Sequence, residues 1–225
     1  MVSRVLGVPR ETVRDWRRTE GSTRGRRPGA DETCPLCGSV PVDAREYAYL
    51  LGLYLGDGCL SKHRRGVYRL RISLDARYPR IVDECARSMA VVVRGRRIGR
   101  QRAPGCLVVS AYWRHWICLF PQHGPGRKHS RRIELAPWQG KIARAHPDRL
   151  LRGLVHSDGC RVANRVRGKV YPRYMFSNRS TDVLEIFCRA CEDFGVSWTR
   201  PSFKHISVAR AADVARLDAI VEVKE

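Results

Sequence analysis

The amino-acid sequence predicts an α+β fold built from two copies of one αββαββα unit, and three features predict it. Two apolar stretches, "LLGLYLGDG" at 50–58 and "LLRGLVHSDG" at 150–159, each end in an Asp-Gly pair, and their aspartates, Asp57 and Asp158, stand 101 residues apart. In "YRLRISL", Tyr68, Leu70, Ile72 and Leu74 alternate with Arg69, Arg71 and Ser73, the period of two that marks a strand buried on one face. After each Asp-Gly the same order of hairpin, helix, hairpin and helix follows.

Taken in order, half 1 spans 44–120. "REYAYLLGLYLGDG" reads as a helix, and "CLSKHRRGVYRLRISLD" as a hairpin turning at Arg65-Gly66. "YPRIVDECARSMA" returns to helical spacing. "VVVRGRRIGRQRAPGCLVVSAY" is a second hairpin, and "WRHWICLF" a short helix. A joint rich in Pro, Gly, His and Arg covers 121–146. Half 2, 147–225, repeats the order. "PDRLLRGLVHSDG" is a helix opened by Pro147, and "CRVANRVRGKVYPRYMFSN" a hairpin. "STDVLEIFCRACEDFG" is a helix capped by Ser180 or Thr181, "VSWTRPSFKHISVA" a hairpin, and "RAADVARLDAIV" the last helix.

Ahead of the repeat, residues 1–20 are similar to the turn and second helix of a helix-turn-helix. Leu6, Val8, Val13 and Trp16 are its apolar positions, and its first helix would have to precede Met1. Residues 21–43 have the composition of a linker and contain "CPLCG". Cys34-x-x-Cys37 is one half of a zinc knuckle, which needs a second ligand pair. None follows at finger spacing. Cys188 and Cys191 lie some 150 residues on, in an amphipathic helix where buried thiols suffice, so a structural zinc is not expected.

Charge narrows the partner. The chain carries 43 Lys and Arg against 22 Asp and Glu, a net +21, and all but six of the basic residues are Arg. Such an excess repels itself unless a polyanion is near, and the guanidinium fork suits phosphate oxygens and guanine edges. Nucleic acid is the expected partner. Nine scattered cysteines without an apolar leader suggest reduced thiols and a cytoplasmic protein, and no apolar run is long enough for a membrane span.

The motif spacing carries the chemistry. Gly52 and Gly56, like Gly153 and Ser157, are four apart, which opens a groove of small residues along one helix face. If the two helices pack parallel about a pseudo-twofold axis, Asp57 and Asp158 meet at their C-terminal ends. There the helix dipole and the neighbouring carboxylate both oppose negative charge. A divalent cation offsets it, held by Asp57 and Asp158, by the adjoining main chain at Gly56 and Ser157, and by water and phosphate. A plain apolar packing core explains the glycines but not the aspartates.

With these residues in view, the chain resembles the LAGLIDADG homing endonucleases in their monomeric, two-motif form, over about residues 44–221. It departs from the usual motif in having Gly56 and Ser157 where alanine is commoner. The resemblance implies a four-stranded saddle in each half lying in the major groove of duplex DNA. It also implies an internal pseudo-dimer in a monomer, and motif aspartates, Asp57 and Asp158, that hold Mg²⁺ for phosphodiester hydrolysis. A basic residue near the scissile phosphate is implied as well, and Lys204, Lys128, Lys62 and several arginines all qualify. The alternating strands nominate Arg69, Arg71, Arg173 and Arg200 as DNA-binding residues, together with Lys204 and Lys128. The expected function is a site-specific endonuclease, free-standing because no splicing residues flank it. The alternatives are a non-catalytic transcriptional regulator on the same scaffold and an RNA-binding maturase.

Overall fold

In the structure, a computed structural model, residues 34–37 and 41–222 are described. The helix-turn-helix-like stretch lies outside them.

Half 1 opens with α1 (Ala44–Asp57), whose first turn is capped by the Asp43 carboxylate accepting from the Glu46 amide at 3.0 Å. Strand β1 (Gly58–Lys62) follows directly, then the turn at Arg64–Gly66 and β2 (Tyr68–Asp75). Arg65 and Gly66 take φ of 59° and 69°, the left-handed pair a tight hairpin requires. Helix α2 (Pro79–Val92), strands β3 (Gly99–Ala103) and β4 (Cys106–Trp113), and the single turn α3 (Trp116–Leu119) complete the half. The joint is more ordered than its composition implies. It contains a 3₁₀ turn at Lys128–Ser130 and α4 (Pro137–Ala145), a helix that the Pro/Gly/His/Arg content obscured.

Half 2 repeats the series: α5 (Pro147–Asp158), β5 (Gly159–Val166), β6 (Lys169–Ser177), α6 (Thr181–Phe194), β7 (Thr199–Ser202), β8 (His205–Val208) and α7 (Ala211–Val221). Ser180 caps α6, accepting from the Val183 amide, and Gly195 closes it at φ 75°. The first hairpin again turns on Arg-Gly, with Arg167 and Gly168 at φ 47° and 78°. Both sheets are antiparallel, ordered β1-β2-β4-β3 and β5-β6-β8-β7. The duplication read from the sequence is thus present strand for strand.

Helices α1 and α5 form the axis of the molecule. Every residue of α1 from Tyr47 to Leu55 is buried, because α5 covers one side and the sheet and helices of half 1 the other. The backbones meet at glycine. A methyl group on Gly52 would lie 2.6 Å from the Leu150 carbonyl oxygen and 2.7 Å from the Leu154 nitrogen, and one on Gly153 would strike the Tyr49 carbonyl. The small-residue groove therefore does what its spacing predicts. Ser157 completes it differently, folding its hydroxyl onto the Leu154 carbonyl at 2.9 Å and the Gly153 carbonyl at 3.2 Å.

At the far end of these helices the halves are tied by charge. Glu84 of α2 accepts from Arg149 (2.9 Å) and from Arg152 (2.8–3.0 Å) of α5, and Arg149 also reaches Glu46 of α1. Burial alone would push the Glu84 carboxyl up, but its bonds to the Arg152 and Arg149 guanidinium groups hold it below its usual value. Beside it, His156 is buried in α5. Its Nε2 donates to the Val221 carbonyl at 2.9 Å, which leaves Nδ1 to accept from the Tyr49 hydroxyl at 2.9 Å.

Candidate active site and nucleic-acid face

The two motif helices deliver Asp57 and Asp158 to one place. Asp158 Oδ2 lies 2.9 Å from where a Gly56 Cβ would stand, and Asp57 is the next residue along α1. Gly58 and Gly159 then turn each chain straight into a strand. A Cβ at either would lie 2.5–2.7 Å from the α-carbon of Tyr54 or Val155, so the turn from helix to strand requires glycine.

Between the helix ends sits a cation from the joint. The Lys128 ammonium donates to three carbonyls at the end of α1, those of Tyr54 (2.6 Å), Leu55 (3.0 Å) and Gly56 (2.6 Å). It also lies over the Tyr54 ring, 5.3 Å from the centroid. Burial lowers its pKa to about 8, against the opposing pull of Asp158 and Asp57. Lys128 is therefore the positive charge at the negative end of α1, and it answers the dipole problem posed by Asp57. The sequence named it both among DNA-binding residues and among the candidates for a basic residue near the scissile phosphate; in the fold it lies at the helix ends beside the aspartates. Nothing in its local pattern, "GRKHS", distinguished it, because its partners are more than 70 residues away.

A cleft of about 520 Å³ opens beside Lys128 and Asp158, with Gly56, Asn178, Lys204 and His205 also among its walls; Asp57 is not one of its lining residues. Asn178 donates its side-chain amide to Asp158 Oδ2 at 2.6 Å and takes up the Lys204 carbonyl through its backbone at 3.1 Å. Asn178, at the end of β6, is a site residue that sequence reading missed. Lys204, on the exposed β7–β8 turn, does reach the cleft, whereas Lys62 does not line it. Of the expected main-chain ligands, the Gly56 carbonyl is bonded to Lys128; the Ser157 hydroxyl, for its part, is turned back on the carbonyls of its own helix.

The site is rich in carboxylate and amide oxygen, the donor set of hard divalent cations such as Mg²⁺. The charges of Asp158 and Asp57 pull toward a cation here, though burial outweighs them at the Lys128 amine. Asp57 and Asp158 would hold such an ion.

The open faces of the two sheets carry the basic residues. On β2, Leu70, Ile72 and Leu74 are buried while Arg71 and Ser73 are exposed and Arg69 half-buried. Arg69 and Arg173 are equivalent positions. Each lies three residues before the one paired with a motif glycine, Ile72 with Gly58 and Phe176 with Gly159. The Nε of each lacks a hydrogen-bond partner among the described residues. Arg69 is steadied by Ser110 (3.1 Å) and by the Tyr112 ring (5.4 Å), and Arg71 by the Cys59 sulfur. Arg200 does not join this face. It sits on the helix-covered side of β7 and pairs with Glu185 of α6 at 3.0 Å, as Arg100 of β3 pairs with Asp83 of α2.

The Cys-Pro-Leu-Cys knuckle also requires a correction. It has its second pair: Cys34, Cys37, His115 and Cys118 place one ligand atom each within 4.8 Å of one another. His115-x-x-Cys118 is too far along the chain for finger spacing to reveal.

No family model and no curated protein sequence matches the chain. Solved structures do. The homing endonuclease I-DmoI in complex with DNA and Mn superposes with a TM-score of 0.56 at 16% identity, over 80% of this chain and 97% of that one. I-WcaI bound to its DNA recognition sequence gives 0.52 at 12%, over 81% and 82%. The N-terminal LAGLIDADG domain of DUF199/WhiA gives 0.51 at 15%, over 89% and 93%. The chain has the LAGLIDADG fold in its two-half form.

Proposed function

We propose that this protein is a divalent-metal-dependent DNA endonuclease that cuts duplex DNA at a defined site, with both halves supplied by one chain. The observation that carries the reading is the meeting of Asp57 and Asp158 with the Lys128 ammonium at the ends of α1 and α5, beside a cleft walled by Lys128, Asp158, Asn178 and Lys204, in a molecule whose two sheets each carry an arginine at the equivalent position. Structural neighbours named as homing endonucleases in complex with DNA and Mn, or with target DNA and Mg, support it.

In this reading Arg69 and Arg173 reach base edges or phosphates from equivalent places in the two halves, so a long duplex lies across both sheets. Asp57 and Asp158 hold the cation, which when bound polarises the phosphodiester and its attacking water. Asn178 fixes the rotamer of Asp158 through its 2.6 Å bond. Lys128 supplies fixed positive charge beside the phosphate, where negative charge grows as the bond breaks. Three carbonyls accept from it, which takes all three protons of an ammonium.

The test is cleavage by the purified chain in Mg²⁺ of a plasmid library that includes DNA flanking its own gene. Cutting at one site is the expected result. Tight binding to one site with no cutting in Mg²⁺ or Mn²⁺ would make the protein a regulator instead.

A further inference from the structure

We propose that Cys34, Cys37, His115 and Cys118 form a structural zinc site that staples the segment before α1 to the β4–α3 corner of half 1. The four ligand atoms lie within 4.8 Å of one another. Two edges of the cluster are the right length. Cys37 Sγ lies 3.6 Å from Cys118 Sγ, and Cys118 Sγ lies 3.6 Å from His115 Nδ1. Zinc bonds of about 2.3 Å to sulfur and about 2.0 Å to nitrogen give tetrahedron edges of about 3.8 Å and about 3.5 Å. A disulfide needs its sulfurs at about 2.05 Å, well inside the observed separation.

Local structure explains why these side chains converge. Pro35–Cys37 form a tight turn, so both thiols of the knuckle face the same way. His115 caps α3 and Cys118 lies one helical turn later, its amide donating to the His115 carbonyl at 3.0 Å. Residues three apart on a helix share a face. The Trp113 ring packs against His115 with centroids 5.5 Å apart, and Cys34 is fully buried. Three thiols and an imidazole in one half-enclosed corner are a complete ligand set for a closed zinc site, more than packing or a single disulfide would use.

The consequence is architectural. Cys34 and Cys37 precede Ala44, the first residue of α1, by about ten and seven positions, so the site fastens the turn at 34–37 to the body near the start of α1. It lies apart from Asp57 and Asp158 and is independent of the nuclease reading.

The experiment uses the full-length chain, purified under reducing conditions without chelator, with zinc measured by elemental analysis and thiols by intact mass. One zinc per chain is expected, lost in Cys34→Ser and Cys118→Ser and retained in Cys106→Ser. Should the serine variants fail to fold, wild-type protein stripped of metal and titrated with Co²⁺ provides the second readout. A single equivalent should give the intense visible absorption of tetrahedral thiolate-bound cobalt, which Zn²⁺ then displaces. Reduced protein that binds neither ion, zinc retained by a folded Cys118→Ser variant, or a mass showing a Cys34–Cys37 disulfide in the active protein would each overturn the proposal.

Discussion

The Lys128 side chain donates to the Gly56 carbonyl at 2.6 Å, and through that contact a loop between the halves is fastened to the end of the first motif helix. The same amine feels the carboxylates of both halves, Asp158 more than Asp57. Lys128→Met keeps the length of the side chain and removes its charge and donors. Cleavage should fall by about 10²-fold or more, the typical effect of deleting one preorganised stabilising group, with DNA affinity nearly unchanged. Single-turnover rates and binding isotherms on one substrate separate the two effects. A mutant that loses binding and cleavage in parallel would place Lys128 on the DNA-binding face instead.

Gly56 faces Ser157 across the helix pair, and a methyl group on Gly56 would lie 2.5 Å from the Ser157 Cβ. Gly56→Ala should therefore lower stability by about 1–3 kcal/mol through overpacking. Gly56→Ala with Ser157→Gly should recover most of the loss, since the clashing side chain is gone. Thermal melts of the two single mutants and the double mutant give the coupling directly. Additive losses would show that the two residues do not share this space.

Glu84 holds the halves together through Arg149 and Arg152, and its carboxyl is kept below its usual value of 4.5. The sign follows from linkage. A carboxylate with a depressed folded pKa contributes its full stability above the unfolded value and loses it as pH falls through the folded one. Wild type should lose stability as pH drops below about 4.5, and Glu84→Gln should lack that component of the acid transition. At neutral pH the variant should be about 1–3 kcal/mol less stable, because Arg149 and Arg152 lose their shared charged acceptor while keeping Glu46 and Glu222. Urea titrations at pH 7 and pH 4 check both statements.

Arg69 and Arg173 occupy equivalent places on the two sheets. Alanine at either should weaken binding to the specific site by about 1–3 kcal/mol, each relaxing preference at different base pairs, on opposite sides of the site centre. Wild-type binding should fall with salt at a log–log slope steeper than about −3, as expected when several phosphates are neutralised. Selection of binding sites with each mutant reads out the positions. Loss of preference at the same base pairs in both mutants would contradict the two-half arrangement.

The duplicated fold was legible because its signals are local and occur twice. Asp-Gly after an apolar run, Arg-Gly between alternating strands and Ser180 ahead of α6 each fix a nearby backbone event. The aspartates and glycines of the site were legible for the same reason. What the sequence concealed depends on contacts between distant segments. Lys128 is one of many basic residues until the fold lays it against α1, and Asn178 becomes a site residue only where β6 ends beside Asp158. His115 and Cys118 complete the knuckle of Cys34 and Cys37 only because β4 and α3 return to the start of α1. Arg200 pairs with Glu185 of α6, a contact its Pro-interrupted strand, "TRPS", did not reveal, since it has no clean alternation from which to assign a face.

The central claim is that Asp57 and Asp158 form one metal-dependent centre shared by both halves, and a mutant cycle on cleavage tests it most directly. Asp57→Asn, Asp158→Asn and the double mutant are compared with wild type in Mg²⁺, on a substrate found by selection, with affinity measured in Ca²⁺. Residues acting as a unit are strongly non-additive, so each single mutant should lose nearly as much rate as the double mutant while binding DNA as well as wild type or better. Single mutants whose rate losses simply add, or that lose DNA binding along with cleavage, would contradict a shared centre.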